Sequence, residues 1–241
     1  IHVTGSLPVN ARGGFTRVTV EKPQLYTGHV LREQLKKEGI HFHPHSKVQS
    51  EKIPARAKLV KTYASPPLSE IVRYQNHYND NFIAEMILKT LGAEIKEKGK
   101  GTFDDGIDVV IDYVESLGIP SRFDMMDGSG HTGYNQMSAE LMVSLLKAEK
   151  QQPTFGEFYD SLAVAGEKGI LLDEMNGTAA EHRLRGITGT MPDVRSLSGF
   201  VKTTDGELLA YSILANGASK ESLSQLMNRF GAALAEVPRE K

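Results

Sequence analysis

The sequence contains no cysteine among its 241 residues, which excludes disulfide bonds and thiol catalysis. This absence leaves the compartment open, because exported proteins do not require disulfides. No apolar run approaches the roughly 20 residues that a membrane-spanning helix needs. The formal net charge is −2, so the chain lacks the basic surface expected of a nucleic-acid-binding domain. Hydrophobic residues make up 39% and charged residues 24%, a balance that can build a packed core.

The start of the sequence also lacks a methionine, and we expect that an upstream portion was removed or left out. Residues 1–20 alternate apolar and polar positions between turn residues, which predicts two strands joined by a loop. Helical spacing follows from Pro23 to a stop at Gly39. Residues 40–60 show no regular spacing of apolar residues, which favours a connection between domains as the interpretation of this segment.

The centre of the chain has the periodicity of helices. Apolar residues at helical spacing predict helices over 80–91, 107–117 and 138–146, the last opened by Ser138. Gly92 is expected to stop the first of these helices.

The last third of the chain predicts an antiparallel meander. Strand-like runs cover Arg185 to Met191, Val194 to Thr203 and Leu208 to Ala215. Asp205-Gly206 is expected to form the hairpin turn, and Ser219 to cap a closing helix. Helices followed by a meander and a helix predict an α+β domain, with helices layered on a sheet.

Two short motifs carry the chemical interpretation. The sequence has an Asn-Asp-Asn at the start of a predicted helix and an Ile-Thr-Gly-Thr at the start of the predicted meander. The motif positions are Asn79, Asp80, Asn81, Ile187, Thr188, Gly189 and Thr190. They resemble two of the three elements, S-x-x-K, S-D-N and K-T-G, that penicillin-binding proteins and serine β-lactamases share.

Longer segments around these motifs resemble the D-alanyl-D-alanine carboxypeptidase/endopeptidase family, the class C low-molecular-mass penicillin-binding proteins. In order they are SPPLSEIV (65–72), NDNFIAEMILKTLG (79–92), DGSG (127–130), SLAVAG (161–166) and RGITGTMPDVRSLSGFV (185–201). The tail DGELLAYSILANG (205–217) resembles the last strands of the family.

The resemblance implies an α/β/α-layered, β-lactamase/transpeptidase-like domain with an antiparallel sheet over 58–241. Residues 1–57 would be the end of an inserted, β-rich domain. The implied activity is hydrolysis of D-Ala-D-Ala through an acyl-serine intermediate, without metal or cofactor. The implied ligand is a peptidoglycan stem peptide or a β-lactam, and the implied location is the periplasm or cell envelope.

The resemblance also implies roles for individual positions. The second motif supplies a hydroxyl that relays protons and, at Asn81, an amide that holds the substrate. The third motif lies on an edge strand, where a lysine attracts the substrate carboxylate and the N–H of Thr190 binds the oxyanion. The loop of Asp127, Gly128, Ser129 and Gly130 would lie near the substrate cleft, although a plain turn is an alternative.

Three departures set this chain apart from the family pattern. In the family the S-x-x-K helix lies upstream of the inserted domain, and it is absent from this sequence. The only S-x-x-K match, Ser144 to Lys147, lies on the surface of a predicted helix. Asn79 replaces the motif serine and cannot relay a proton as a hydroxyl does. Ile187 replaces the lysine and carries no charge. An incomplete or degenerate hydrolase, a pseudoenzyme that binds peptidoglycan peptide or a protein partner, and a structural module all stay open, as does the oligomeric state.

Three further features have a plain and a functional interpretation. Asn79 also suits a helix N-cap, and Gly189 suits a crowded strand. His41, His43 and His45 would share one face of a strand and suit a metal, but a solvated polar face is the simpler interpretation.

Overall fold

The computed structural model describes residues 4–6, 8, 18–96, 100–217 and 220–238. The chain divides into two compact units, Ile1–Tyr63 and Ala64–Lys241. The assignment of the first unit to an inserted domain stays a prediction. Within the described residues, no helix combines the length and the apolar character required to cross a bilayer.

The first unit contains one described helix, α1 (Pro23–Lys37), which begins at the predicted proline. Lys36 and Lys37 occupy its last turn, where positive charge favours the helix dipole. The Arg32 guanidinium donates a 2.8 Å hydrogen bond to the Ser46 carbonyl. The two strands predicted before Pro23 fall largely on residues outside the described ranges, and the described parts of 1–20 form no strand.

The second unit is built from six α-helices and a four-stranded sheet in its described part. The helices are α2 (Leu68–Tyr78), α3 (Asn81–Ile95), α4 (Phe103–Ser116), α5 (Ala139–Glu149), α6 (Phe155–Ser161) and α7 (Lys220–Ala235), with a 3-10 turn at Gly169–Leu171. The strands are β1 (Ala163–Val164), β2 (Leu184–Thr190), β3 (Val194–Lys202) and β4 (Leu208–Asn216).

The sheet is antiparallel throughout, in the order β1-β2-β3-β4. One face buries Leu184, Leu197 and Val201 with Met227 of α7. On the other face Phe200 packs with α5 and α6, its ring edge-on to Phe155. Helices therefore cover both faces of the sheet, which confirms the predicted α+β layered fold.

The prediction that Gly92 ends its helix is wrong, since α3 continues to Ile95 and buries Gly92. A Cβ added at Gly92 would lie 2.7 Å from the backbone nitrogen of Gly106 in α4. The glycine therefore allows two helices to approach closely, which one helix's periodicity does not reveal. The cap predicted at Ser219 lies outside the described residues.

Candidate functional site

Asn79 lies at the sharp junction between α2 and α3. Its backbone adopts the left-handed conformation, with φ of 49°, a region that asparagine tolerates better than most residues. Asp80 is the N-cap of α3 and its carboxylate accepts a hydrogen bond from the Ile83 N–H at 3.1 Å. The interpretation of Asn79 as an N-cap is therefore wrong, because the cap is one residue later. Asn81 follows as the first, exposed residue of α3.

The Asn79 side chain connects this junction to the third-motif strand. Its amide Nδ2 donates a 3.0 Å hydrogen bond to the Thr188 carbonyl in β2. Met191 and Val194 exchange backbone hydrogen bonds at the turn into β3. The backbone N–H and C=O groups of β2 therefore point alternately toward β3 and away from it, residue by residue. The backbone groups of Thr188 and Thr190 point away from β3.

The outward edge of β2 is only partly paired. In the described residues, β1 covers β2 at Arg185 and Gly186 alone. Beyond that point the N–H groups of Thr188 and Thr190 face an open edge. An open strand edge can pair with an extended peptide, and an N–H beyond it can bind a developing oxyanion.

Ile187 lies on the face of β2 that Arg185 also occupies, since side chains alternate along a strand. The Arg185 guanidinium is already engaged, 4.5 Å above the Tyr159 ring and 3.3 Å from the Asp160 carboxylate. Arg185 is the one basic residue of β2, and its contacts are already made with α6. The strand therefore offers no other positive charge in place of the family lysine.

Gly189 lies close to a side chain of β3. A Cβ at this position would lie 2.3 Å from the Ser196 hydroxyl oxygen, a contact that rotation of the serine side chain would relieve. The packing interpretation and the motif interpretation of Gly189 both stay predictions.

The Asp127 to Gly130 loop is tied to α3 through Glu85, a residue that the sequence analysis did not select. The Glu85 carboxylate accepts hydrogen bonds from the N–H groups of Gly128 and Ser129 and from the Ser129 hydroxyl, the last at 2.6 Å. Asp127 accepts hydrogen bonds from the loop itself and from Asn135. Among the described residues these bonds join the loop to the helix that Asn81 begins, and none reaches β2.

A buried polar pair also escaped the sequence analysis. The Asn76 amide donates a 2.7 Å hydrogen bond to the Ser161 hydroxyl, which donates in turn to the Phe158 carbonyl. Both side chains are buried, and they hold α2 against α6. An asparagine on the buried face of α2 was the available signal.

The sequence analysis also did not select His77, which lies two residues before Asn79 in the last turn of α2. Its Nε2 is buried without a hydrogen-bond partner among the described residues. Burial lowers the pKa of His77, the nearby Lys168 lowers it further, and a hydrogen bond to the Leu162 backbone opposes the shift. The imidazole is therefore held in its neutral form.

The remaining candidates form no site. Ser144 and Lys147 lie within α5, as the helix-surface interpretation predicted. The rings of His43 and His45 lie 5.3 Å apart, and the His45 N–H donates to His43 Nδ1. In the described part of the chain no three His, Asp or Glu residues gather in a metal-binding arrangement.

The layered sheet with a helix junction facing an edge strand is the architecture of β-lactamase-like proteins. The structure superposes on the TLA-1 β-lactamase with a TM-score of 0.55, at 12% identity, over 70% of this chain and 63% of that chain. It superposes on penicillin-binding protein 4 from Haemophilus influenzae, solved with a β-lactam, with a TM-score of 0.78 at 22% identity. That match covers 91% of this chain and 53% of the other.

The chain belongs to the D-Ala-D-Ala carboxypeptidase 3 (S13) family, whose sequence profile matches residues 1–237. It is 35% identical over 245 aligned residues to a D-alanyl-D-alanine carboxypeptidase from Actinomadura sp.. That alignment covers 98% of this chain but 45% of the relative, so the chain spans about half the length of the protein it matches.

Proposed function

We propose that this chain carries the second and third motif positions of a serine-type D-Ala-D-Ala carboxypeptidase that acts on peptidoglycan stem peptides. The nucleophilic serine would come from the part of the family's domain that this chain does not span. The observation that carries the proposal is the Asn79–Thr188 hydrogen bond, which fixes the helix junction beside the open edge of β2.

In the proposed reaction the stem peptide lies along β2 beyond β1. The serine oxygen attacks the carbonyl carbon of the penultimate D-alanine, and the carbonyl oxygen develops negative charge that the Thr190 N–H stabilises. The C–N bond breaks and the proton of the serine hydroxyl passes to the departing nitrogen, so the terminal D-alanine leaves with a free amino group. Water then hydrolyses the acyl-serine, which releases the shortened peptide and restores the serine hydroxyl.

Ile187 sets this site apart from the family pattern. A charge-assisted hydrogen bond contributes about 1.5–3 kcal/mol, so its absence corresponds to a roughly 10- to 100-fold weaker hold on a carboxylate. We therefore expect slow turnover of free stem peptides. The half-buried isoleucine offers an apolar contact in exchange.

A location at the cell envelope follows from the proposed substrate, since peptidoglycan lies outside the cytoplasm. A β-lactam, which mimics the D-Ala-D-Ala terminus, is the second ligand we propose.

A non-catalytic peptide-binding role is the alternative, and two observations favour it. The Asn79 amide is committed to the Thr188 carbonyl and offers no hydroxyl, and Ile187 offers no charge. Such a protein would bind a stem peptide or a protein partner along β2 without cleaving it.

D-Alanine release separates the two roles. The product of the complete reading frame is incubated with a synthetic stem pentapeptide, and free D-alanine is measured beside the Ile187→Lys variant. Release that rises with Ile187→Lys supports the hydrolase. Saturable peptide binding without release in either protein supports the alternative.

A further inference from the structure

A small cavity lies beside the third-motif strand, on the face of the sheet that α7 covers. Its volume is about 160 Å³, and Thr188, Thr190 and Arg195 are among the residues that line it. Arg195 of β3 lies directly opposite Thr190 in the strand register, as Leu197 lies opposite Thr188. Residues paired in this way share a face, and Leu197 is buried with Met227 of α7. The cavity therefore brings a cation of β3 beside two motif threonines.

Arg195 is a buried cation without a carboxylate partner among the described residues. The residue is 5% exposed. Its Nη1 donates hydrogen bonds to the Met191 and Val194 carbonyls at the turn into β3. Its Nε and Nη2 make no hydrogen bond to any described group. Because a buried charge is costly unless it is paired, a bound anion would offset the cost of burying this guanidinium.

The donors that stay free in the cavity match a carboxylate. The Nε and Nη2 atoms of a guanidinium form a planar fork that fits two carboxylate oxygens. The Thr188 and Thr190 hydroxyls make no hydrogen bond within the described part of the chain, and each can donate one. Glu174 also lines the cavity, but no ion pair joins it to Arg195 in that part of the chain.

The proposed substrate brings a carboxylate to this position. In the proposed reaction the carbonyl oxygen of the penultimate D-alanine lies at the Thr190 N–H. The terminal carboxylate is one residue further along the peptide, a span of about 3.3–3.6 Å. Since the Thr190 side chain lines the cavity, the carboxylate comes within reach of the donors there.

We infer that Arg195, together with Thr188 and Thr190, binds the terminal carboxylate of the stem peptide and selects peptides that end in a free carboxyl group. The arginine supplies part of the attraction that Ile187 does not. Position 187 lies on the other face of β2, so the gain expected from Ile187→Lys would add to that of Arg195. The inference rests on the proposed function for the identity of the peptide, and it does not require cleavage.

Equilibrium binding of two matched peptides tests the inference without catalysis. Both are stem peptides in which a ketomethylene group replaces the scissile amide, and they end in a free carboxylate or in a carboxamide. Each is titrated by calorimetry into the product of the complete reading frame. We expect the carboxylate form to bind roughly tenfold more tightly than the carboxamide. Equal affinities, or no binding of either peptide, would overturn the inference.

Variants of β3 assign the preference for the carboxylate to one residue. Arg195→Gln should abolish the preference, and Arg195→Lys, which keeps the charge but loses the fork, should retain part of it. Lys202→Gln removes a positive charge from the exposed end of the same strand and should leave the preference unchanged. A preference that survives Arg195→Gln, or that Lys202→Gln reduces equally, would contradict the inference.

A purely structural role for Arg195 gives a different result. If the arginine only holds the Met191 and Val194 carbonyls, Arg195→Gln should weaken both peptides equally and leave their ratio unchanged. Thr188→Val leaves those contacts intact and removes a hydroxyl, so it should reduce the preference roughly threefold. An unchanged ratio in Thr188→Val would also count against the inference. Urea unfolding curves confirm that each variant folds.

D-Alanine release from the cleavable peptide separates this inference from the proposed function. A protein that prefers the carboxylate through Arg195 but releases no D-alanine supports the inference and contradicts the hydrolase. A protein that releases D-alanine, and whose Arg195→Gln variant keeps the full preference, supports the hydrolase and overturns the inference.

Discussion

The Asn79 side-chain amide hydrogen-bonds the Thr188 carbonyl at 3.0 Å, across 109 residues of sequence. The contact joins two motif positions, one at a helix junction and one on a strand whose edge is open. The left-handed backbone of Asn79 directs its side chain across the junction toward that strand.

Two substitutions at Asn79 separate the contribution of its side-chain hydrogen bond to stability from the contribution of its backbone conformation. Asn79→Gly keeps the left-handed conformation and loses the hydrogen bond, so it should lower the free energy of unfolding by about 1 kcal/mol. Asn79→Ala also strains the backbone, which should add about 1 kcal/mol. Urea unfolding of the 241-residue chain measures both. Equal losses would show that the backbone conformation contributes nothing.

Restoring the family cation tests the role of position 187. Ile187→Lys places an ammonium on the face that Arg185 shares, and should raise the second-order rate of penicillin acylation in the complete protein roughly tenfold or more. Ile187→Met is the matched control, because it has similar length without charge. An equal rise in both variants would assign the effect to side-chain shape.

Close helix packing at Gly92 makes an unusual stability prediction. Glycine to alanine in a helix interior normally stabilises by about 0.5–1 kcal/mol. Gly156→Ala, in the first turn of α6 with open space around the added Cβ, should stabilise by up to about that amount. Gly92→Ala should instead destabilise by about 1–3 kcal/mol, because its Cβ would strike the α4 backbone. Thermal unfolding of both variants provides the comparison, and stabilisation by Gly92→Ala would contradict the observed packing.

His77 predicts a loss of stability on mild acidification. Its pKa is lowered in the folded chain, so as the pH falls below about 6.5, the ordinary histidine value, the unfolded chain takes up a proton that the folded chain resists. The stability that neutral His77 contributes is complete above that pH, and it falls as the pH drops from there to the lower pKa of the folded chain. Between pH 7.5 and 5, the unfolding temperature of His77→Gln should therefore fall less than that of the parent chain. An equal fall in both proteins would assign the pH dependence to other groups.

The sequence predicted the fold where periodicity and turn chemistry agree. The meander with its Asp205-Gly206 turn and the helices opened by Pro23 and Ser138 are confirmed. Local patterns gave a wrong prediction at Gly92. A glycine that ends a helix and a glycine that allows a neighbouring helix to pack closely cannot be distinguished in the sequence of one helix. They also missed α6, whose seven residues are too few to display a helical period.

Site positions were predicted by motif, and their connections were not. Asn79 and Thr188 were selected separately, but the hydrogen bond between them depends on tertiary packing over a long sequence distance. The roles of Glu85 and Ser161 depend in the same way on partners that no local pattern encodes. The assignment of the motif positions to catalysis stays a prediction.

Intact mass after incubation with a fluorescent penicillin is the most direct test of the central claim, on this chain and on the product of its complete reading frame. The account predicts no adduct on the 241-residue chain and one adduct per molecule on the complete product. A defined adduct on the short chain, which would direct mapping first to Ser144, would contradict it. So would the absence of an adduct on both proteins, which would favour the non-catalytic role.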